Sequence, residues 1–133
     1  MVHVGDGIDS FSFTLNYKDG DGDIGYKPTD TYKPYDTGSY FYSCLFIQYL
    51  ELQNGHYVYV KDPLYNIDTI QYSFRLPALN NLNRPQPISG NINFGIYLNH
   101  KTIYKTFKFR IFLFDKALHE SNIIETPPMQ RGN

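Results

Sequence analysis

The chain has no tryptophan, a single cysteine and no excess of charge of either sign. Its 12 Lys and Arg residues against 13 Asp and Glu residues give a formal net charge of -1. Nucleic acids and anionic lipids are drawn to basic surfaces, so this balance argues against a nucleic-acid partner and against electrostatic membrane binding. The one cysteine, Cys44, excludes an intramolecular disulfide, and its apolar neighbours favour a small buried side chain over a reactive thiol. No stretch approaches the roughly 18 apolar residues of a membrane span.

Sequence signs of catalysis are also missing. There is no Gly-x-Ser-x-Gly elbow and no glycine-rich phosphate loop leading into a helix. The glutamates Glu51, Glu120 and Glu125 offer no visible pairing for sugar hydrolysis. The histidines are scattered without the spacing of a zinc site, at His3, His56, His100 and His119. We therefore expect a non-catalytic protein without zinc.

Aromatic residues are abundant, with 13 Tyr and 10 Phe, and they recur at every second position in several stretches. Such alternation is typical of strands that bury one face. Asn54-Gly55 between two apolar stretches predicts a tight hairpin. We predict about seven strands, at 10–17, 40–52, 57–61, 68–76, 91–98, 104–114 and 123–126, with pairing stopped by Pro127-Pro128. A single all-β domain spanning 1–133 follows, an antiparallel two-sheet sandwich, with a small closed barrel as the alternative.

The most unusual chemistry lies directly after the first predicted strand, where Asp19, Asp21 and Asp23 alternate with glycines. A hard cation such as Ca²⁺ takes six to eight oxygen ligands, and a curled acidic loop supplies several of them. An EF-hand is excluded, because Ile24 stands where that loop needs glycine and Asp30 where it needs a bidentate glutamate. The three aspartates predict a structural Ca²⁺ site. The alternative is a solvated turn whose carboxylates cap their own backbone.

The two ends of the chain resemble immunoglobulin-like domains of Bacteroidetes cell-envelope lipoproteins. The resemblance lies in Ser-Phe-Ser-Phe-Thr-Leu-Asn-Tyr at 10–17 followed by Asp-Gly-Asp-Gly-Asp-Ile-Gly at 19–25, and in a long strand at 109–114 followed by Asp115 and a Ser-Asn pair at 121–122. It implies an immunoglobulin-like sandwich at the cell surface or in the periplasm, held to the membrane by a lipidated cysteine that would precede Met1. It implies no known activity, and the segment 26–100 carries no motif of the family.

A second polar cluster comprises Asp115, Ser121 and Asn122. If every strand reverses direction, the predicted strand 104–114 runs opposite to 10–17, so their ends lie at opposite ends of the sandwich. Asp115 would then approach Asp6 and Asp9 and not the acidic loop. We predict that Asp115 and Asn122 hold that end together through hydrogen bonds to loop backbone, with a second cation as the alternative.

A long polar loop at 26–39 follows the acidic stretch, and the tyrosine-rich segment 26–40 contains Tyr26, Tyr32, Tyr35 and Tyr40. Exposed aromatic rings stack on sugars or anchor a protein partner. The alternative is that these rings cover the edge of the sandwich. The sequence thus predicts a non-catalytic cell-envelope binding or structural domain with an unknown protein or glycan partner. An accessory glycan- or peptide-binding module that uses Tyr32 and Tyr35 is the alternative function.

Overall fold

A computed structural model describes residues 2–5, 8–19, 23–61, 69–79, 88–98 and 102–131, and it consists of two antiparallel sheets. The strands are β1 (Val2–Gly5), β2 (Ile8–Asp19), β3 (Leu45–Gln53), β4 (His56–Tyr59), β5 (Gln71–Phe74), β6 (Ile88–Leu98), β7 (Thr106–Leu113), β8 (Ile124–Glu125) and β9 (Met129–Gln130). The first sheet has the order β1-β2-β6, and the second contains the other six strands around β3 and β7. The expected all-β antiparallel sandwich is confirmed. Within the described ranges, no helix is long and apolar enough to cross a membrane.

Two pairs of short strands each share one edge of the second sheet. Strand β4 pairs with residues 50–53 of β3, and β5 pairs with residues 45–48 of the same strand. On the other side, β8 and β9 pair with successive parts of β7. The seven strands predicted from the sequence correspond to β2 through β8, whereas β1 and β9 are not predicted by it.

The core lies between the sheets and follows the alternation of the strands. Phe107 and Phe109 of β7 are fully buried, and Phe11 of β2 packs edge-on against both at centroid distances of 5.4 and 5.2 Å. Each buried phenylalanine contributes about 1.5–3 kcal/mol through removal of apolar surface from water. The other buried members of this cluster are Leu15, Ile24, Leu45, Ile47, Tyr49, Ile70, Ile96, Leu98, Ile111 and Leu113.

Of the local features predicted from the sequence, the hairpin is found, whereas the start of one strand and the end of strand pairing differ. The hairpin is confirmed, because Asn54 and Gly55 join β3 to β4 with positive φ angles of 52° and 86°. The expected strand 40–52 is wrong in its first part, since Tyr40–Tyr42 forms a single 3-10 turn. Pairing also resumes after Pro128, where β9 returns to the edge of β7.

Candidate functional site

The acidic loop and the segment after β7 lie at the same end of the sandwich, so the predicted separation of Asp115 from the acidic loop is wrong. Both β4 and β5 run antiparallel to β3, and the chain therefore does not reverse direction between them. Every later strand, including β7, therefore runs opposite to the direction that strict alternation predicts. The backbone N–H of Lys116 donates to the carbonyl of Asp23 at 2.9 Å. Asp9, by contrast, lies ten residues before the end of β2, about 34 Å away along the strand, and Asp6 lies outside the described residues.

The three predicted Ca²⁺ ligands are described unequally. Asp19 is the last residue of β2, where its backbone pairs with Ile88, and Asp21 lies outside the described residues. Oδ2 of Asp23 accepts the backbone N–H of Ala117 at 3.3 Å. The end of the acidic loop is thus fastened to the turn after β7. Where the chain is described, no group of three or more His, Cys, Asp or Glu side chains is placed to hold a metal.

Asp115 organises its own loop. One carboxylate oxygen accepts the backbone N–H of His119 at 2.8 Å, and the other lies 3.2 Å from Nδ1 of the same histidine. Ser121 closes the loop at its far end, since its hydroxyl oxygen accepts the N–H of Leu113 at 3.0 Å. Asp115 therefore binds loop backbone as expected, but Ser121 takes the partnering position that we predicted for Asn122.

A buried ion pair joins the tyrosine-rich segment to the loop after β7. Asp30 is 3% exposed, and its Oδ1 lies 2.7 Å from Nζ of Lys116 while its Oδ2 accepts the N–H of Lys27 at 2.8 Å. Burial alone raises the pKa of Asp30, but the hydrogen bonds from Lys116 and Lys27 outweigh it and hold that pKa below its ordinary value. The bond to Asp30 raises the pKa of Lys116. The pair is charged at neutral pH and fixes the long loop over the end of the sandwich.

Arg75 makes the second fastening of this loop. Its guanidinium donates to three backbone carbonyls, those of Asp30 at 2.7 Å, Tyr42 at 2.7 Å and Tyr35 at 3.1 Å. It also lies over the rings of Tyr26 and Tyr42, at 4.6 and 4.4 Å from their centroids. A planar group with five N–H donors suits this role, which a lysine could not fill. In the sequence, Arg75 is one of several outward-facing positions of an alternating strand and carries no signal of its own.

The two tyrosines predicted to bind a ligand lie together but differ in access. Tyr32 is 55% exposed, whereas Tyr35 is buried and donates its hydroxyl to the carbonyl of Lys116. Their rings meet edge-on with centroids 5.5 Å apart, and Tyr35 also packs against Tyr26 at 5.1 Å. The ring of Tyr35 is therefore covered by other residues of the loop, and only the ring of Tyr32 is accessible to a ligand.

A different aromatic ring lies on the outer face of the second sheet, which we define by Phe46, Gln48, Leu50 and their cross-strand neighbours. Odd-numbered residues of β3 enter the core, so these even-numbered residues face away from it. Tyr40 is 51% exposed and stacks on Phe46 with centroids 4.6 Å apart and ring planes only 9° apart. One side of the Tyr40 ring is therefore covered by Phe46, which the sequence does not identify as its partner.

A row of flat polar side chains follows on the outer face. Gln48 lies between Gln71 and Arg110 in the sheet register, and its Nε2 donates to Oε1 of Gln71 at 2.9 Å. Nη1 of Arg110 donates to the hydroxyl of Tyr59, whose ring is 41% exposed. Two partly exposed tyrosines thus flank a row of amide and guanidinium groups. These residues come from separate strands, and only the register brings them together.

A small cleft opens at the side of the sandwich between β2 and β7, lined by Leu15, Ile24, Ile111, Leu113 and Ile124 among others. Its volume is about 90 Å³. Sites for whole small molecules are typically about 300–1,000 Å³, so this cleft suits individual side chains and not a substrate.

Comparison with models of known protein families, with curated proteins and with solved structures gives no match to this chain.

Proposed function

We propose that this chain is a non-catalytic binding domain of the cell envelope whose binding surface is the outer face of the second sheet. The observation that carries the proposal is the ring of Tyr40, which is stacked on Phe46 and 51% exposed beside a row of amide and guanidinium groups. Aromatic side chains that are rigidly held and half exposed supply contact area at low entropic cost. The envelope location is supported by the resemblance of residues 10–25 and 109–127 to domains of envelope lipoproteins.

A non-catalytic role is supported by the structural partners of the buried carboxylates. Asp30 is paired with Lys116, and Asp9 is paired with Arg131 at 3.0 Å. Glu51 accepts the hydroxyl of Tyr49 at 2.8 Å. Carboxylates that are held by structural partners of this kind stabilise loops and strand ends, and proton transfer to a substrate would require breaking those bonds.

A structural Ca²⁺ at Asp19, Asp21 and Asp23 remains part of the proposal. Such an ion would neutralise the crowded carboxylates. The contacts of Asp23 with the backbone of Lys116 and Ala117 fix the far end of the acidic loop, which supports an ordered ion-binding loop. The bound ion would rigidify the start of the tyrosine-rich segment.

The binding role can be tested with purified domain and three envelope preparations, namely surface polysaccharide, peptidoglycan sacculi and outer-membrane vesicles. We expect co-sedimentation with at least one preparation and a loss of about tenfold in affinity for Tyr40→Ala. Tyr97→Ala is the matched control, because Tyr97 is 68% exposed on the other sheet. Absence of binding to all three preparations, or equal binding by both variants, would contradict the proposed function.

A further inference from the structure

We propose that the outer face of the second sheet binds a neutral glycan chain, with Tyr40 as the stacking platform and Gln48, Gln71, Arg110 and Tyr59 as hydrogen-bonding groups. This inference rests on the proposed function and names its ligand class. A pyranose ring presents a row of C–H groups on one side and hydroxyls around its rim. A flat aromatic ring beside flat polar side chains matches both features.

The platform is rigid before any ligand arrives. Phe46, beneath Tyr40, is 1% exposed and stacks in turn on Phe112 at 5.5 Å. Oε1 of Gln71 accepts a hydrogen bond from Nε2 of Gln48, which fixes the neighbouring amide row. Because the ring is held on its inner side by Phe46, binding would cost little side-chain entropy.

The hydrogen-bonding groups lie at intervals set by the sheet. Neighbouring strands are about 4.8 Å apart, and residues two positions apart along a strand are about 6.8 Å apart. Phe46 and Leu50 lie about 14 Å apart along β3 and are themselves buried. The partly exposed rings of Tyr40, which covers Phe46, and Tyr59, which pairs with Leu50, mark the two ends of this distance. That distance accommodates more than one sugar ring, so the ligand is a chain and not a monosaccharide.

The guanidinium of Arg110 is held in place on the outer face by Tyr59. Its Nη1 donates to the hydroxyl of Tyr59, and its Nε is shielded from solvent and lies 4.0 Å from the carboxylate of Glu125. The Arg110 side chain is 32% exposed, so a sugar hydroxyl can accept from its Nη groups and donate to an amide oxygen of the same row.

The charges on this face favour a neutral ligand. Arg110 in this row and Lys108 in the next row, opposite Leu50, are cations of the outer face, and both lie beside Glu125, with Lys108 at 2.9 Å from it. Glu120 is close enough to Tyr40 to raise its pKa, after the larger effect of burial. Two cations are thus matched by two carboxylates. A polyanion would gain nothing from such a face, which argues for a neutral glycan over nucleic acid or a uronate chain.

The inference is tested by isothermal titration calorimetry of the full chain with neutral hexasaccharides, namely cellohexaose, mannohexaose and xylohexaose, and with hexagalacturonate as the anionic probe. We expect measurable binding of at least one neutral chain, weakened about tenfold by Tyr40→Ala. Tyr40→Phe keeps the ring and should bind within about threefold of the wild type. Tyr97→Ala should bind as the wild type, and thermal melts of all variants confirm folding.

Binding of hexagalacturonate alone, or neutral binding that is insensitive to Tyr40→Ala, overturns the inference. If Tyr40→Ala weakens binding to an envelope preparation while none of the neutral chains binds, the face is a binding surface for another ligand class, and only the glycan assignment fails. If neither the preparations nor the sugars bind, both proposals fail.

Discussion

Removing the carboxylate of Asp30 should weaken the whole end of the sandwich where the long loop lies. Breaking a buried ion pair by deleting one partner typically costs about 3–5 kcal/mol, because the other charge is left uncompensated. The Lys116 side chain is 35% exposed, and water therefore compensates part of that loss. Deletion also leaves the N–H of Lys27 without its acceptor, at a cost of about 1 kcal/mol. We expect Asp30→Ala to lower the free energy of unfolding by about 2–4 kcal/mol.

Urea denaturation followed by circular dichroism measures this loss, provided that the slope of the transition is unchanged. Glu125→Ala is the matched control, since Glu125 also pairs with a lysine but is 47% exposed. Glu125→Ala should lower the free energy of unfolding clearly less than Asp30→Ala does. Equal losses in the two variants would refute the reasoning that burial makes the Asp30 pair strong.

The pH dependence of the same experiment follows from the pKa shifts. The pKa of folded Asp30 is below its ordinary 3.8, so its contribution is fully present above pH 3.8 and is lost as pH falls through the folded value. The pKa of folded Lys116 is above 10.5, so its contribution is present below pH 10.5 and is lost as pH rises through the folded value. The difference in stability between wild type and Asp30→Ala should be constant near neutral pH and should narrow at both extremes.

Three further outcomes follow from the structure. Gly25→Ala should lower the free energy of unfolding by several kcal/mol and Gly38→Ala by about 1 kcal/mol. Both glycines have positive φ angles, but only at Gly25 would a Cβ meet a backbone oxygen, that of Pro77 at 2.0 Å. Equal losses of unfolding free energy in chemical denaturation would contradict this close approach. Arg75→Lys should lower the melting temperature by several degrees, since an ammonium cannot reach three carbonyls and cover two rings; an unchanged melt would contradict the fastening role. If Ca²⁺ binds the acidic loop, added Ca²⁺ should raise the melting temperature of the wild type and leave Asp21→Ala unaffected, and an equal rise in both would disprove the predicted ligand set.

The strands were predictable because alternation records which side chains enter the core. Phe107, Phe109 and Ile111 fall on one face at every second position, and all of them are buried. The hairpin at Asn54-Gly55 was predictable because a tight turn needs two positive φ angles. These features depend on neighbours in the sequence, which a single chain reveals.

The direction of the later strands and the candidate binding face were not predictable for the opposite reason. Strands β4 and β5 continue along one edge of β3, and nothing local distinguishes this continuation from a reversal. Tyr40 was placed in a strand because its neighbours are apolar, yet it turns back to cover Phe46. Arg75 likewise acquires its role from carbonyls more than 30 residues away.

Backbone amide shifts of the isotope-labelled chain, followed by NMR as the neutral hexasaccharides are added, give the most direct view of the binding surface. We expect the largest changes at Tyr40, Gln48, Gln71 and Arg110, with the exposed residues of β2 and β6 unchanged. Changes centred on the first sheet or on the side cleft between β2 and β7, with the outer face of β3 and β7 silent, would contradict the assignment of the binding surface.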